Sequence, residues 1–86
     1  MPRLAYVNHA FVPLDRAAVH VEDRGFQFAD GIYEVCAVLN GRLLDWPLHL
    51  ERWTRNLSAL LIPAPMSAAA LTLVARRLGA RLWAEV

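Results

Sequence analysis

No lysine occurs among the 86 residues, and all nine basic residues are arginines. Arginine keeps its proton, so no side chain here offers the free amine that an imine-forming nucleophile must be. Cys36 is the only cysteine, which excludes an intramolecular disulfide and a cysteine-rich metal centre. The histidines at positions 9, 20 and 49 are too scattered for a metal-ligand pattern, so no metal site is expected. Charge is also sparse, at 20% of residues and a net +1. That excludes a disordered chain and one that coats nucleic acid. No apolar run approaches the roughly 20 residues of a membrane span, and the first residues lack the apolar core of a signal peptide. A cytoplasmic setting is expected.

Apolar residues, by contrast, are plentiful: 57% of the chain. Eighty-six residues without repeats or linkers read as one domain, 1–86. A domain of this length buries only about 60% of its unfolded surface. The apolar content exceeds what it can hide, so either surface stays exposed or a larger body covers it.

Leu4 to Val7 reads as a strand, Asn8-His9 as a tight turn, and Ala10 to Val12 as the return before Pro13. Val19 to Val21 is a candidate further strand. Asp23-Arg24-Gly25 opens a polar loop, with glycine expected at positive φ, and Asp30-Gly31 closes it. Ile32 to Leu39 reads as a strand with Tyr33, Val35, Ala37 and Leu39 on one face and Glu34, Cys36 and Val38 on the other. On that division Glu34 and Tyr33 do not form an acid–base pair. Asn40-Gly41 is the favoured pair for a type I′ hairpin, returning along Arg42 to Asp45. Pro47 suits the start of a helix, in which Leu50, Trp53, Leu57, Leu60 and Leu61 recur at helical spacing and Glu51 pairs with Arg55. Ile62-Pro63-Ala64-Pro65 ends it. Ser67 caps a second helix striped by Leu71, Val74, Ala75 and Leu78 and ended by Gly79. Arg81 to Val86 reads as the beginning of a strand, an ending that suggests truncation. The order predicts an α+β fold with a mostly antiparallel sheet and two helices.

The stretch Glu22-Asp23-Arg24-Gly25-Phe26-Gln27-Phe28-Ala29-Asp30-Gly31-Ile32-Tyr33-Glu34-Val35 resembles the signature near the N-terminus of class IV (fold type IV) aminotransferases. Asn40-Gly41 followed by His49-Leu50-Glu51-Arg52 is similar to that family's hairpin and its histidine–x–x–arginine element, in the same order and spacing. The Tyr33-Glu34-Val35 ending is most similar to D-amino-acid aminotransferases. Branched-chain aminotransferases and aminodeoxychorismate lyases, which usually have phenylalanine where Tyr33 stands, are the alternatives.

The resemblance implies a small N-terminal lobe of an enzyme that uses pyridoxal 5'-phosphate to move an amino group between a D-amino acid and a 2-oxo acid, as a homodimer. It implies that Arg52 binds the cofactor phosphate, where a planar cation gives bidentate hydrogen bonds. The plainer alternative for Arg52 is a solvated helix face and a neighbouring carboxylate partner. Tyr33 is implied to reach the substrate carboxylate; its plainer alternative is cross-strand packing. His9 departs from the glycine common after that asparagine, and Cys36 reads as a small core hydrophobe. No catalytic residue carries over, because the family's imine-forming lysine has no counterpart here, and the chain alone is expected to be inactive. A reading from another class is a non-catalytic binding module that keeps the lobe.

Overall fold

Two short hairpins lie against one long helix. In the computed structural model, residues 3–85 are described by their backbone and 3–80 by their side chains. β1 (Leu4–Val7) pairs antiparallel with β2 (Ala10–Pro13), Tyr6 opposite Phe11 and Val7 opposite Ala10. Two residues, Asn8 (φ 47°) and His9 (φ 68°), make the turn. Both angles suit a type I′ connection, whose twist matches that of the strands. His9 therefore holds the left-handed backbone that glycine adopts without cost. The rings of Tyr6 and Phe11 meet edge to face at 4.8 Å.

After a single 3-10 turn (Leu14–Arg16), no strand forms at 19–21. His20 Nδ1 accepts the Glu22 N–H at 3.0 Å and the His20 carbonyl accepts the Asp23 N–H at 2.9 Å, which bends the chain away from extension. Asp23-Arg24-Gly25 is not a glycine turn either. It opens the five-residue α1 (Arg24–Phe28), with Asp23 as N-cap accepting the Phe26 N–H at 3.2 Å. Positive φ falls instead on Ala29, at the helix end. A Cβ on Gly25 would lie 3.0 Å from the capping carboxylate, which accounts for the glycine better than φ does.

The second hairpin pairs β3 (Val38–Leu39) with β4 (Arg42–Leu43) around Asn40 (φ 51°) and Gly41 (φ 76°), as the Asn-Gly pair predicts. It is shorter than the sequence suggests. Residues 32–37 run extended but have no strand opposite them, because Trp46 already begins α2 (Trp46–Ala59). The alternation itself holds: 32, 34, 36 and 38 are half-buried, whereas 33, 35, 37 and 39 are exposed.

Pro47 sits in the first turn of α2, and Glu51 and Arg55 pair four residues apart, as expected. Leu57 is the buried member of its stripe, but Leu60 and Leu61 lie beyond the helix and are exposed. α3 (Ala68–Glu85) begins where Ser67 Oγ accepts the Ala70 N–H at 3.1 Å. Gly79 does not end it. The residues after Gly79 are mainly alanine, arginine and leucine, strong helix formers that carry the helix on. The strand expected from Arg81 is therefore helix through Glu85, and Val86 lies outside the described residues. Gly79 is buried for another reason. A Cβ there would meet Leu43 at 3.4 Å and Val38 at 3.8 Å, so its bareness lets the β3–β4 hairpin approach α3.

α3 also contacts β1, and the Arg77 guanidinium lies 4.2 Å over the Phe11 ring. Trp46 Nε1 donates to Thr72 Oγ1 at 2.9 Å, tying the start of α2 to α3. The result is an α+β domain with two antiparallel strand pairs and two main helices. Among the described residues no helix is long and apolar enough to cross a membrane.

Candidate functional site

The extended segment 32–37 crosses in front of α2, and its alternation decides what meets the helix. Glu34 points inward. On α2, His49 and Arg52 stand three residues apart and so share the face that Glu34 meets. The Glu34 carboxylate takes Arg52 through two contacts, Nε to Oε2 at 2.9 Å and Nη2 to Oε1 at 3.0 Å. His49 Nδ1 lies 2.6 Å from Oε1. Glu34 and His49 are largely covered, while half of the Arg52 side chain is open to solvent. The hydrogen bond from His49, then that from Arg52, holds the Glu34 carboxyl below its usual range, against a smaller opposing effect of burial. An ionised carboxylate only accepts, so His49 Nδ1 carries the hydrogen in this contact.

Arg52 thus has a carboxylate partner, but from the extended segment rather than from a neighbour on its own helix. The contacts use one edge of the guanidinium. Its Nη1 amino group has no hydrogen-bond partner among the described residues. Arg52 is also part of the wall of an open cleft of about 520 Å³, with Gly31, Tyr33, Glu34, Val35 and Asn56. Tyr33 and Arg52, the two residues singled out from the sequence, therefore line one cleft. The Tyr33 side chain faces outward and is 84% exposed. Glu34 is separated from it by the strand alternation, as the sequence implies, and no Tyr33–Glu34 hydrogen bond forms among the described residues.

Glu34 and His49 were not recognisable as a unit in the sequence. Each reads singly, as a strand carboxylate on the face opposite Tyr33 and as a lone helix histidine. The usable signal was the three-residue spacing of His49 and Arg52 opposite the inward face of a strand.

Behind the segment lies a smaller, more apolar cavity of about 260 Å³ between Cys36, Trp46, His49, Leu50, Trp53 and Leu71. Cys36 donates to the Leu44 carbonyl at 3.2 Å, and burial pushes its thiol up from the ordinary value. A thiol in that state is a packing group, not a nucleophile. Among the described residues no three histidine, cysteine or acidic side chains gather as a metal site.

No family model matches the chain. Individual proteins do. A D-alanine aminotransferase of Listeria monocytogenes serotype 1/2a (strain 10403S) is 36% identical over 61 residues, 71% of this chain and 21% of that protein. One from Listeria innocua serovar 6a is 38% identical over 61 residues. One from Staphylococcus aureus (strain N315) is 36% identical over 73 residues, 85% of this chain and 26% of that protein. The chain thus spans about a fifth to a quarter of the length of the curated relatives it matches.

Proposed function

We propose that this chain, a sequence relative of the D-alanine aminotransferases, is the N-terminal lobe of a pyridoxal-phosphate-dependent enzyme that transfers amino groups between D-amino acids and 2-oxo acids. The observation that carries the reading is the juxtaposition of Arg52 and Tyr33 on one cleft, within a stretch similar to those relatives.

The residues fit the phosphate end of such a cofactor. Arg52 offers its free Nη1 edge, and Asn56, one turn along α2, adds an amide to the same wall. Glu34 does not compete for that edge. It holds the opposite edge, so the guanidinium is already oriented and loses little freedom when an anion arrives. His49 in turn orients Glu34. Tyr33, outward on the adjoining wall, presents its hydroxyl to the substrate carboxylate. When bound, the cofactor supplies an electron sink for proton movement at the amino carbon.

These residues do not complete the reaction. With no lysine in its 86 residues, the chain has no side-chain amine for the cofactor's carbonyl, and alone it is inactive. A chimera tests this, with these 86 residues replacing the matching segment of the Staphylococcus aureus relative. The chimera is expected to transaminate D-alanine. Its Arg52→Ala variant should retain pyridoxal phosphate about tenfold less tightly in equilibrium dialysis, as loss of one charge-assisted contact implies. A folded chimera without activity, or unchanged cofactor affinity in the variant, returns Arg52 to the role of a surface partner for Glu34.

A further inference from the structure

The cavity behind the extended segment is formed by the chain itself, between that segment, α2 and α3. Its walls come from Trp46 and Trp53, from Ile32, Leu50 and Leu71, and from His49. At about 260 Å³ it is far larger than the water-sized voids that packed interiors leave. A cavity of ~150 Å³ already accepts a benzene-sized molecule. This one has room for an aromatic ring that bears a substituent.

Most polar side-chain groups in the lining are satisfied within the chain. Trp46 Nε1 donates to Thr72 Oγ1 at 2.9 Å, Cys36 Sγ donates to the Leu44 carbonyl at 3.2 Å, and Glu34 accepts from His49 and Arg52. Two ring nitrogens of the lining have no partner among the described residues, His49 Nε2 and Trp53 Nε1. Their residues stand four apart on α2 and so share one face of it. With Nδ1–H given to Glu34, Nε2 of the neutral imidazole accepts, whereas the indole N–H only donates. A hydroxyl is the small group that serves both, donating to one and accepting from the other. The ionised Glu34 lies in the same wall and no arginine does, so a neutral ligand is favoured over an anion.

We propose that this cavity binds a small neutral phenol, its ring packed against Trp46, Leu50 and Leu71 and its hydroxyl shared between His49 Nε2 and Trp53 Nε1. Aromatic walls favour an aromatic guest beyond the area it buries. Water alone satisfies the two nitrogens but leaves the apolar walls wet. A plain hydrocarbon has the reverse defect, since it covers the walls and leaves both nitrogens without a partner. The site is distinct from the Tyr33–Arg52 cleft in front of the segment and does not depend on the aminotransferase reading.

Phenol and toluene, nearly equal in size, test this on the full chain. A titration followed through the indole N–H signals of Trp46 and Trp53 by nuclear magnetic resonance should show saturable binding of both. Phenol should bind about fivefold tighter than toluene, the worth of one net hydrogen bond. Nuclear Overhauser contacts should run from the phenol ring to Trp46 and Leu71. His49→Phe should bring the two ligands to equal affinity, and Leu71→Trp, which fills part of the space, should weaken both about tenfold. No saturable binding of phenol, as for a cavity that holds only water, overturns the proposal. So does toluene binding as tightly as phenol, a preference for phenol that survives His49→Phe, or phenol contacts on the outward Tyr33 face instead. The unsubstituted chain decides between the two ligands even where a variant fails to fold.

Discussion

Glu34 accepts from two residues that sequence alone leaves unconnected, and its ionisation therefore reaches beyond its own side chain. Its carboxyl is held below the ordinary value of 4.5 by His49 and then Arg52. A lowered pKa in the folded state means that folding favours the ionised form. The resulting stability is fully present above the unfolded-state value. It is lost as pH falls through the lower folded-state value. Thermal stability of the chain should therefore fall through the acid range, and Glu34→Gln should flatten that part of the profile. Parallel profiles for the two proteins would show that the contacts do not couple to folding. At this scale the sequence was half legible. Period-two alternation put Glu34 and Tyr33 on opposite faces, and in the structure Glu34 is the inward one and Tyr33 the outward one. It could not say that Arg52 and His49 meet Glu34, because that contact depends on how the segment crosses α2, which is a tertiary fact. The phosphate role proposed for Arg52 and the substrate role proposed for Tyr33 came from resemblance, not from spacing.

Among the elements, turn chemistry was the most readable level. Asn8-His9 and Asn40-Gly41 both take left-handed angles in two-residue hairpins, and Ser67 caps α3, because these depend on residues close in sequence. What failed depended on partners. A strand read from apolar residues at 32–37 lacks a strand opposite, and a glycine read as a helix stop is a packing notch. The end of α2 shows the two kinds of cause together. Leu60 is its cap, the Leu61 N–H donates to the Ser58 carbonyl at 3.1 Å, and the Ile62 N–H donates to the Leu57 carbonyl at 2.9 Å. That is a Schellman closure, whose left-handed position usually holds glycine. Here it holds Leu61 at φ 57°, with its side chain 89% exposed. The leucine bears the steric cost and recovers little by burial. Leu61→Gly should therefore stabilise the chain by ~1 kcal/mol, read as a higher midpoint in urea unfolding at an unchanged slope. A lower midpoint would mean that the leucine side chain is covered in solution, by a second copy or by another body.

For the molecule as a whole, the question is what so apolar a chain does with so little interior. Leu57 is its buried apolar side chain among the described residues, while thirteen large hydrophobic side chains are exposed. The radius of gyration is 13.8 Å, against ~12 Å for a compact domain of this length. Sequence composition already pointed to this excess of apolar surface, but the sequence read a strand beginning at Arg81 to Val86. That segment is helical through Glu85, and the exposed edge without a strand opposite it lies at 32–37. A domain so thinly cored cannot draw much stability from itself, so most of what it has must depend on covering that surface. If the cover is a second copy, folding and association are one equilibrium, and mass action favours the folded dimer as concentration rises. The thermal midpoint should then climb by roughly 3–5 °C for each tenfold increase in chain concentration. Scanning calorimetry over a concentration series measures it. A midpoint indifferent to concentration in the unsubstituted chain would mean that the few contacts within one copy suffice, and that the exposed edge is tolerated rather than used.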